Sequence, residues 1–378
     1  MNDLDFTSLP LLLEPARVRR TYRGGSWLDR RHGIEYAKES DSPEEWLASM
    51  TEAVNPGFSP VKNEGLSATI LNGQTLILRD LVQQEPERML GRTHTARYGA
   101  VPGVLAKIID SAERLSIQVH PDKLFAKEYF HSDYGKTECW HILETREIDG
   151  QSPCLLMGFR PGVTREIWED VYQRQDIPAM VRCLNRITPN AGETWLIRGG
   201  MPHAIGPGCV LVEIQEPTDY TMRSERTKAD GTPIPDALIH QGLGEKALME
   251  CFHYETMTET DLRRNCFIFP ETVEYPDGSR WQLLIGRRDT DCFSMERLEV
   301  GHSLRYTDIH TFSIVLVLNG EGVLETPNGV VPVRKMQQFF LPAGIEQLAF
   351  RSTGAEPLTV IRCNPPGAET HYPKSQYL

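Results

Sequence analysis

The sequence lacks any long hydrophobic run. No stretch of it approaches the ~18 consecutive apolar residues that a membrane-spanning helix needs. The opening string MNDLDFTSLPLLLEPARV contains an apolar run too short for the core of a signal peptide, and no basic region precedes it. We therefore expect neither a membrane partner nor a secretion signal.

Cysteine is scarce and widely spaced. The 378 residues include eight cysteines, and no two of them form a Cys-x-x-Cys pair. This pattern predicts reduced and mostly buried thiols rather than a disulfide framework, which is typical of a cytoplasmic protein. The cysteines are Cys139, Cys154, Cys183, Cys209, Cys251, Cys266, Cys292 and Cys363.

Basic charge is in deficit. Asp and Glu number 52 against 40 Lys and Arg, which gives a formal net charge of −12. Such a chain is not expected to be drawn to nucleic acid or to an anionic membrane. An anionic substrate would need a local cluster of Lys and Arg. The length suffices for two domains with a sizeable core.

The string DSPEEWLASM predicts the first helix. Ser42 is placed as an N-cap, Pro43 suits the first helical turn, and Glu45 would complete a capping box. Further helices are predicted in LILRDLVQQEPERML and IPDALIHQGLGEKALMECF. One or two helices are predicted in GVTREIWEDVYQRQDIPAMVRCLNRI, with Thr164 and Asp176 as N-caps.

Strand-like strings change in density along the chain. RLSIQVHPDK, ETWLIRGG and GCVLVEIQEP predict strands among the helices. Beyond about residue 255, short strand-like runs such as RWQLLIGRR, FSIVLVLNGEGVLE, QQFFLPAG and PLTVIRC recur between turns of Gly, Asn and Pro. That spacing is typical of a sandwich or small barrel. We predict two units, residues 1–255 and residues 256–378.

Four side chains could hold a metal ion. Gln118 and His120 lie two apart in a predicted strand, so they share a face, as Lys136 and Glu138 would in an extended segment. His203 follows a glycine turn. Each alone is more often an ordinary structural residue. Together, Gln118, His120, Glu138 and His203 offer two nitrogens and up to two oxygens, a set that suits zinc or a similar divalent ion.

The strings SIQVHPDK, GKTECWHILE and GGMPHAIG, in this order, resemble the type I mannose-6-phosphate isomerases of the shorter bacterial branch. EEWLAS and VLVEIQEPTDYTMR are also similar to that family, and the likeness covers residues 15–255 most clearly. The resemblance implies a mainly β fold with two cupin-type barrels and added helices in the N-terminal part. It also implies one divalent metal ion, which is Zn²⁺ in the family, held by His120, Glu138 and His203. Gln118 would either bind the ion as well or contact the residues that bind it.

The cupin pattern can be followed through both predicted units. Gly192, Gly200 and His203 match it, whereas Arg198 stands where cupins usually carry proline. In the C-terminal unit, Gln347 stands where a metal-binding histidine would fall. The resemblance therefore implies a degenerate second barrel without a metal.

The family's reaction interconverts mannose 6-phosphate and fructose 6-phosphate through a cis-enediol. Glu213, which shares a strand face with Leu211 and Gln215, is a candidate general base, and Lys136 a candidate donor or proton carrier. Arg223 matches an active-site arginine of the family. Arg226 and Lys228 follow it in TMRSERTKADG, where this chain departs from the shorter branch, and they are candidate phosphate ligands.

Alternatives remain open from the sequence. The chain could isomerise a non-phosphorylated or different sugar, perform another cupin chemistry such as metal-dependent oxygenation, or bind a sugar without turning it over. Manganese, cobalt or iron could replace zinc on the same ligands. We expect a small-molecule sugar phosphate as partner and a monomer or a homodimer.

Overall fold

The structure, a computed structural model, describes residues 5–55 and 57–375. It is mainly β, with short helices between the strands. A 3₁₀ helix spans Phe6–Ser8. The α-helices of the described residues are α1 (Ser26–Arg31), α2 (Leu78–Gln84), α3 (Pro86–Leu90), α4 (Arg92–Tyr98), α5 (Lys123–Tyr129), α6 (Arg165–Gln173), α7 (Ile177–Cys183), α8 (Asp236–Ile239), α9 (Glu245–Cys251) and α10 (Glu259–Asn265).

The strands fall into two groups along the chain. The strands before residue 225 are β1 (Leu11–Leu13), β2 (Ala16–Val18), β3 (Glu44–Leu47), β4 (Ala68–Leu71), β5 (Gln74–Ile77), β6 (Leu105–Asp110), β7 (Gln118–Val119), β8 (Glu138–Thr145), β9 (Leu155–Phe159), β10 (Leu184–Ile187), β11 (Thr194–Ile197), β12 (His203–Ile205), β13 (Cys209–Gln215) and β14 (Met222–Arg223). The later strands are β15 (Glu271–Glu274), β16 (Arg280–Ile285), β17 (Ser294–Val300), β18 (Ser303–Tyr306), β19 (Ser313–Asn319), β20 (Glu321–Thr326), β21 (Gly329–Arg334), β22 (Gln338–Leu341), β23 (Leu348–Ser352), β24 (Leu358–Asn364) and β25 (Lys374–Ser375).

These strands form antiparallel sheets. A six-stranded sheet has the order β11-β8-β13-β6-β3-β2, and a five-stranded sheet has the order β10-β9-β12-β7-β14. A nine-stranded sheet runs β15-β16-β17-β24-β19-β22-β1-β4-β5, and a second five-stranded sheet runs β21-β20-β23-β18-β25. The mainly β class predicted from the sequence is confirmed.

The sheets pack face to face, because alternate side chains along a strand project to opposite faces and can enter two different cores. On β8, Trp140 and Ile142 pack with Met157 and other residues of the first five-stranded sheet. Cys139, on the opposite face of the same strand, joins a core that includes Ile314 of the nine-stranded sheet. The nine-stranded sheet packs in turn against the second five-stranded sheet. The six-stranded sheet is therefore buried on both faces, and each face contributes to a separate apolar core.

The nine-stranded sheet joins distant parts of the chain. β1 lies between β22 and β4, with Leu11 paired to Phe340 and Leu13 paired to both Gln338 and Thr69. Strands from before residue 80 therefore complete a sheet that is otherwise built from residues after 270. The division into units 1–255 and 256–378 stays a prediction.

The helix predicted after Ser42 is wrong, because Glu44–Leu47 forms strand β3. All four side chains of β3 are buried, and the strand pairs with β2 on one side and β6 on the other. Glu45 caps no helix and instead accepts a hydrogen bond from the His32 ring at 2.7 Å. The sheet overrides the local capping signal, because β2 and β6 provide hydrogen-bond partners for the backbone N–H and C=O groups on both sides of the segment.

Other helix predictions are confirmed with changed boundaries. Thr164 and Asp176 cap α6 and α7 as expected, through hydrogen bonds from the backbone amides of Ile167 and Ala179. Residues 184–187, at the end of the same predicted string, instead form β10. The string from residue 234 to 252 forms two short helices, α8 and α9, instead of one.

Two further expectations from the sequence concern the thiols and membrane-spanning helices. All eight cysteines are free thiols and are buried. Among the described residues, no helix combines the length and the apolarity that crossing a bilayer would require.

Candidate metal centre

The predicted ligand residues meet where the six-stranded sheet faces the first five-stranded sheet. Gln118 on β7 and His203 on β12 are direct cross-strand partners, so their side chains share a face. Glu138 begins β8 of the opposite sheet, and His120 follows the end of β7. Residues from two sheets thus converge although up to 85 positions separate them in the sequence.

His120, Glu138 and His203 form a compact buried cluster. Their ligand atoms all lie within 4.8 Å of one another. The two Nε2 atoms are 3.2 Å apart, Glu138 Oε2 lies 3.1 Å from His120 Nε2, and Glu138 Oε1 lies 3.3 Å from His203 Nε2. Ligand atoms at tetrahedral zinc distances would be separated by about 3.3 Å. The cluster therefore has the spacing that a divalent ion requires.

The backbone fixes the tautomers of both histidines. Nδ1 of His120 lies 2.9 Å from the Tyr220 carbonyl oxygen, and Nδ1 of His203 lies 2.8 Å from the Met201 carbonyl oxygen. Since a carbonyl only accepts, each Nδ1 carries the proton and each Nε2 presents a lone pair to the cluster. Metal-binding histidines are held in this way.

Glu138 adds an acceptor that lacks a donor. Its carboxylate is fully buried, and Oε1 has no hydrogen-bond partner among the described residues. A buried carboxylate oxygen without a partner is costly unless a cation lies near it. Two facing lone pairs and this oxygen together fit a divalent ion.

Gln118 reaches the same point. Its side-chain nitrogen lies 3.2 Å from His203 Nε2. A half-turn about the last side-chain bond exchanges the amide nitrogen and oxygen, so Gln118 can present its oxygen to the cluster as well. It can therefore act either as a fourth ligand or as a donor beside the ion.

Lys136 is the cationic neighbour of the cluster. Its Nζ lies 2.7 Å from His120 Nε2 and 2.9 Å from Glu138 Oε2, so it faces the same way as Glu138. Burial and then Lys136 lower the pKa of His120 to about 3. Burial alone would raise the pKa of Glu138, but Lys136 and His120 hold it well below its ordinary value. Both groups are thus in the ionisation state that a metal ligand needs.

A small cavity of about 40 Å³ adjoins the cluster. Gln118, Lys136, Glu213 and Arg223 line it, which brings these predicted residues together. Its wall also contains charged residues that the sequence reasoning did not single out: Arg20, Glu44, Lys107 and Asp219.

These missed residues form buried ion pairs. Arg20 binds Asp219 through two contacts of 3.1 Å and Glu44 at 3.0 Å. Burial alone would lower the pKa of Arg20, but Asp219 and Glu44 raise it overall. Lys107 could have been noticed as the one charge within the apolar string LAKII. Arg20 and Asp219 are 199 positions apart and give no local signal.

Glu213 projects into the interior, on the face shared with Leu211. Trp140 Nε1 donates to its Oε2 at 2.8 Å, and Lys107 Nζ lies 3.0 Å from its Oε1. Burial and the charge of Glu138 raise the pKa of Glu213, although Lys107 opposes them. A buried carboxylate with a raised pKa is suited to exchanging protons near neutral pH.

Arg223 is partly buried, and its side-chain hydrogen bonds go to carbonyl oxygens and not to carboxylates. Its Nη1 donates to the Leu238 carbonyl at 2.7 Å and to the Thr221 carbonyl at 3.3 Å. Burial lowers the pKa of Arg223 to about 10. The guanidinium therefore remains charged at neutral pH and has its charge available to an anion in the cavity.

Arg226 and Lys228 lie apart from this cavity wall. Arg226 pairs with Glu245 and stacks 5.0 Å from the Tyr172 ring centroid. Lys228 Nζ lies 5.3 Å from the ring centroid of Phe58. Neither residue is among those that line the cavity. Their part in phosphate binding stays a prediction.

The glycine turn before His203 is tied to the cluster. Gly200 has φ +84°, and a Cβ there would lie 2.3 Å from the His253 ring. Its amide donates to the His120 carbonyl oxygen at 2.7 Å, which links the turn to a ligand residue. Arg198 is exposed and donates to the Asp289 carbonyl at 3.4 Å. Gln347 is exposed on the C-terminal part.

Comparisons with known proteins point in one direction. The model of the family "Phosphomannose isomerase type I, catalytic domain" matches residues 62–138. The Bacillus subtilis (strain 168) protein named probable mannose-6-phosphate isomerase GmuF is 33% identical over 344 residues, which cover 91% of this chain and 96% of the relative. Mannose-6-phosphate isomerase ManA of the same strain is 25% identical over 283 residues, 72% of this chain and 81% of that protein.

A solved structure shares the fold. The crystal structure of the mannose 6-phosphate isomerase from Bacillus subtilis matches with a TM-score of 0.70 at 21% identity. The match covers 94% of this chain and 99% of the other. At that identity the likeness establishes a common fold across nearly the whole chain.

Proposed function

The chain belongs to the type I phosphomannose isomerase family, and we propose that it interconverts mannose 6-phosphate and fructose 6-phosphate through a cis-enediol. The observation that carries the proposal is the buried cluster of His120, Glu138 and His203 beside a charged cavity. The relative that is 33% identical over most of both chains supports the choice of reaction.

One divalent ion, which the family resemblance implies to be zinc, would be held by His120, Glu138 and His203. The Gln118 amide oxygen would complete the set. When bound, the ion supplies positive charge that orients the open-chain sugar and stabilises negative charge on its oxygens. The Nδ1 hydrogen bonds of the two histidines keep their Nε2 atoms aimed at this position before the ion arrives.

Glu213 is our candidate for the base that moves a proton between C2 and C1. The carboxylate would take the proton from one carbon and return it to the other, so no net proton is consumed. Trp140 and Lys107 fix its orientation from two sides. Lys136 would donate a hydrogen bond to a sugar oxygen or carry the proton of that oxygen, since Lys136 lines the same cavity as Glu213.

Arg223 would stabilise the enediolate charge or bind the phosphate, because its partly buried guanidinium is held by carbonyl oxygens. Arg226 and Lys228 would bind the phosphate from the segment that follows β14. We also propose that each pair of packed sheets forms a cupin-type barrel, the catalytic one within residues 1–255.

Metal analysis followed by a coupled assay tests this function. We expect about one divalent ion per chain and turnover of mannose 6-phosphate and fructose 6-phosphate, with no turnover of mannose. Turnover of unphosphorylated mannose at a similar kcat/KM would redirect the proposal to a different sugar. A metal-loaded protein that converts none of the three sugars would refute it.

The Glu213→Gln variant tests the base. Gln keeps the size of the side chain and an acceptor for Trp140, but it cannot take a proton. We expect kcat to fall by roughly 10²–10⁴-fold, with the metal content unchanged because Glu213 is not a proposed ligand. Glu255→Gln, at an exposed position, is the control. An unchanged kcat in Glu213→Gln would remove Glu213 from this role.

A further inference from the structure

A second and larger cavity opens between helix α4 and the C-terminal part of the fold. Its volume is about 390 Å³, within the range of small-molecule sites. Helix α4, the segment after β18 and the segment after β24 surround it. Within the described residues, none of its lining residues lines the cavity beside the metal cluster. We call it the arginine cavity, because Arg97, Arg287 and Arg362 line it.

Arg362 is a buried cation fixed at the base of the arginine cavity. Its Nη1 lies 3.3 Å from Glu296 Oε1, and its Nε donates to Ser313 Oγ at 3.1 Å. The guanidinium carbon lies 4.5 Å from the ring centroid of Tyr306, which also lines the cavity. The side chain is only 6% exposed, so its position is set before any ligand binds.

Glu296 also accepts hydrogen bonds from three neutral donors, so Arg362 is not the only group that holds its carboxylate. Trp281 Nε1 and the Tyr306 hydroxyl each donate to its Oε2 at 2.7 Å, and Asn364 Nδ2 donates to Oε1 at 2.9 Å. The Trp281 contact parallels that between Trp140 and Glu213 in the N-terminal part. Both parts therefore place a tryptophan-bound buried glutamate beneath a cavity.

Arg97 and Arg287 lie at the exposed rim of the arginine cavity. Among the described residues neither makes an ion pair with a carboxylate; Arg97 stacks 5.1 Å from the ring centroid of Tyr98. The acidic lining residues are already engaged. Glu369 pairs with His371 at 3.2 Å, and Asp308 accepts from the Thr307 hydroxyl at 3.0 Å.

We propose that the arginine cavity is a second binding site, for a small phosphorylated metabolite of the size of a sugar phosphate. Guanidinium groups match phosphate oxygens with two parallel hydrogen bonds, and the three arginines approach the cavity from separate elements. Tyr98, Tyr306 and Ile309 supply apolar wall for the carbon part of such a ligand. The inference does not depend on the reaction proposed for the metal centre.

Crystals of the full chain soaked in tungstate, a heavy phosphate analogue, test the site directly. We expect anomalous density between Arg97, Arg287 and Arg362. Crystals without tungstate density in this cavity would overturn the proposal, whatever is seen near the metal cluster.

Titration calorimetry with glucose 6-phosphate tests the chemistry in solution. We expect the Arg97→Gln/Arg287→Gln double variant to bind at least tenfold more weakly than the unmodified chain. Arg305→Gln is the control, because Arg305 is an exposed residue of β18 outside the cavity. The Arg305→Gln variant should bind glucose 6-phosphate with the affinity of the unmodified chain. Unmodified glucose should not bind. Equal affinity of the double variant and the unmodified chain would contradict the site.

Discussion

Lys107 lies between two buried carboxylates that line the cavity beside the cluster of His120, Glu138 and His203. Its Nζ is 3.0 Å from Glu213 and 3.7 Å from Glu44, and it lies 5.5 Å from the ring centroid of Trp46. Burial alone would lower the pKa of Lys107, but Glu213 and Glu44 raise it. The lysine is therefore charged, and it offsets the negative charge of two buried carboxylates.

Removing that charge should destabilise the fold. We expect Lys107→Met to lower the free energy of unfolding by roughly 3–5 kcal/mol, because it leaves the buried Glu213 carboxylate without its ion-pair partner, whereas Glu44 keeps Arg20. Lys127→Met is the control, since Lys127 and its partner Asp133 are 75% and 88% exposed, and such a pair contributes about 0–1 kcal/mol. Urea unfolding measures both. Equal midpoints for the two variants would refute the argument.

Glu138 gives the residue-scale test of the metal ligands. Gln at this position keeps the shape but removes the charge that offsets a divalent ion. We expect Glu138→Gln to weaken metal binding at least about 100-fold, a larger loss than for residues that only support ligands. Glu147→Gln, at an exposed position nearby, should bind normally. Competition with a fluorescent chelator measures the affinity, and full occupancy in Glu138→Gln would contradict the assignment.

At the scale of elements, the sequence predicted those helices whose ends depend on contacts between residues close together in the chain. The N-caps Thr164 and Asp176 were found because capping is a contact over three positions. β3 was missed because its partners, β2 and β6, lie elsewhere in the chain. Family strings located the three-residue cluster, whereas Arg20 and Asp219 were missed because their pairing exists only in the folded chain.

Strand β8 carries a buried histidine, His141, on the face opposite to Glu138 and Trp140. His141 Nδ1 lies 3.0 Å from Thr194 Oγ1, and burial lowers the pKa of His141 to about 3. Below about pH 6.5 the unfolded chain takes up a proton at this histidine, whereas the folded chain does not until about pH 3. Stability should therefore fall as the pH falls through this window.

Replacing His141 should flatten that pH dependence. We expect His141→Gln to lose less unfolding free energy than the unmodified chain when the pH is lowered from 7.5 to 5. His131→Gln, at an exposed position, should retain the original dependence. Urea denaturation at the two pH values measures the difference, and parallel losses in all three proteins would show that His141 is not responsible.

At the scale of the whole molecule, the N-terminal strands bind the two parts together. β1 pairs along β22, and the Ala48 amide donates to Gln338 Oε1 at 3.0 Å. The six-stranded and nine-stranded sheets also share one apolar core. Burial of this kind contributes about 1.5–3 kcal/mol for each large apolar side chain, so neither part has a complete core alone.

Separating the parts should therefore prevent independent folding. We expect residues 256–378 expressed alone to show no cooperative thermal transition, because β1, β4 and β5 and the facing six-stranded sheet are absent. The full chain should unfold in a single transition. A sharp transition in the isolated C-terminal part would show that the shared core is dispensable.

The central claim is that His120, Glu138 and His203 converge on one divalent ion. Diffraction data collected on both sides of the zinc absorption edge, from crystals grown with zinc, test it most directly. The account predicts one strong anomalous peak within about 2.0–2.2 Å of both histidine Nε2 atoms and a Glu138 oxygen. Anomalous density that appears only elsewhere, with these three side chains unbound, would contradict it.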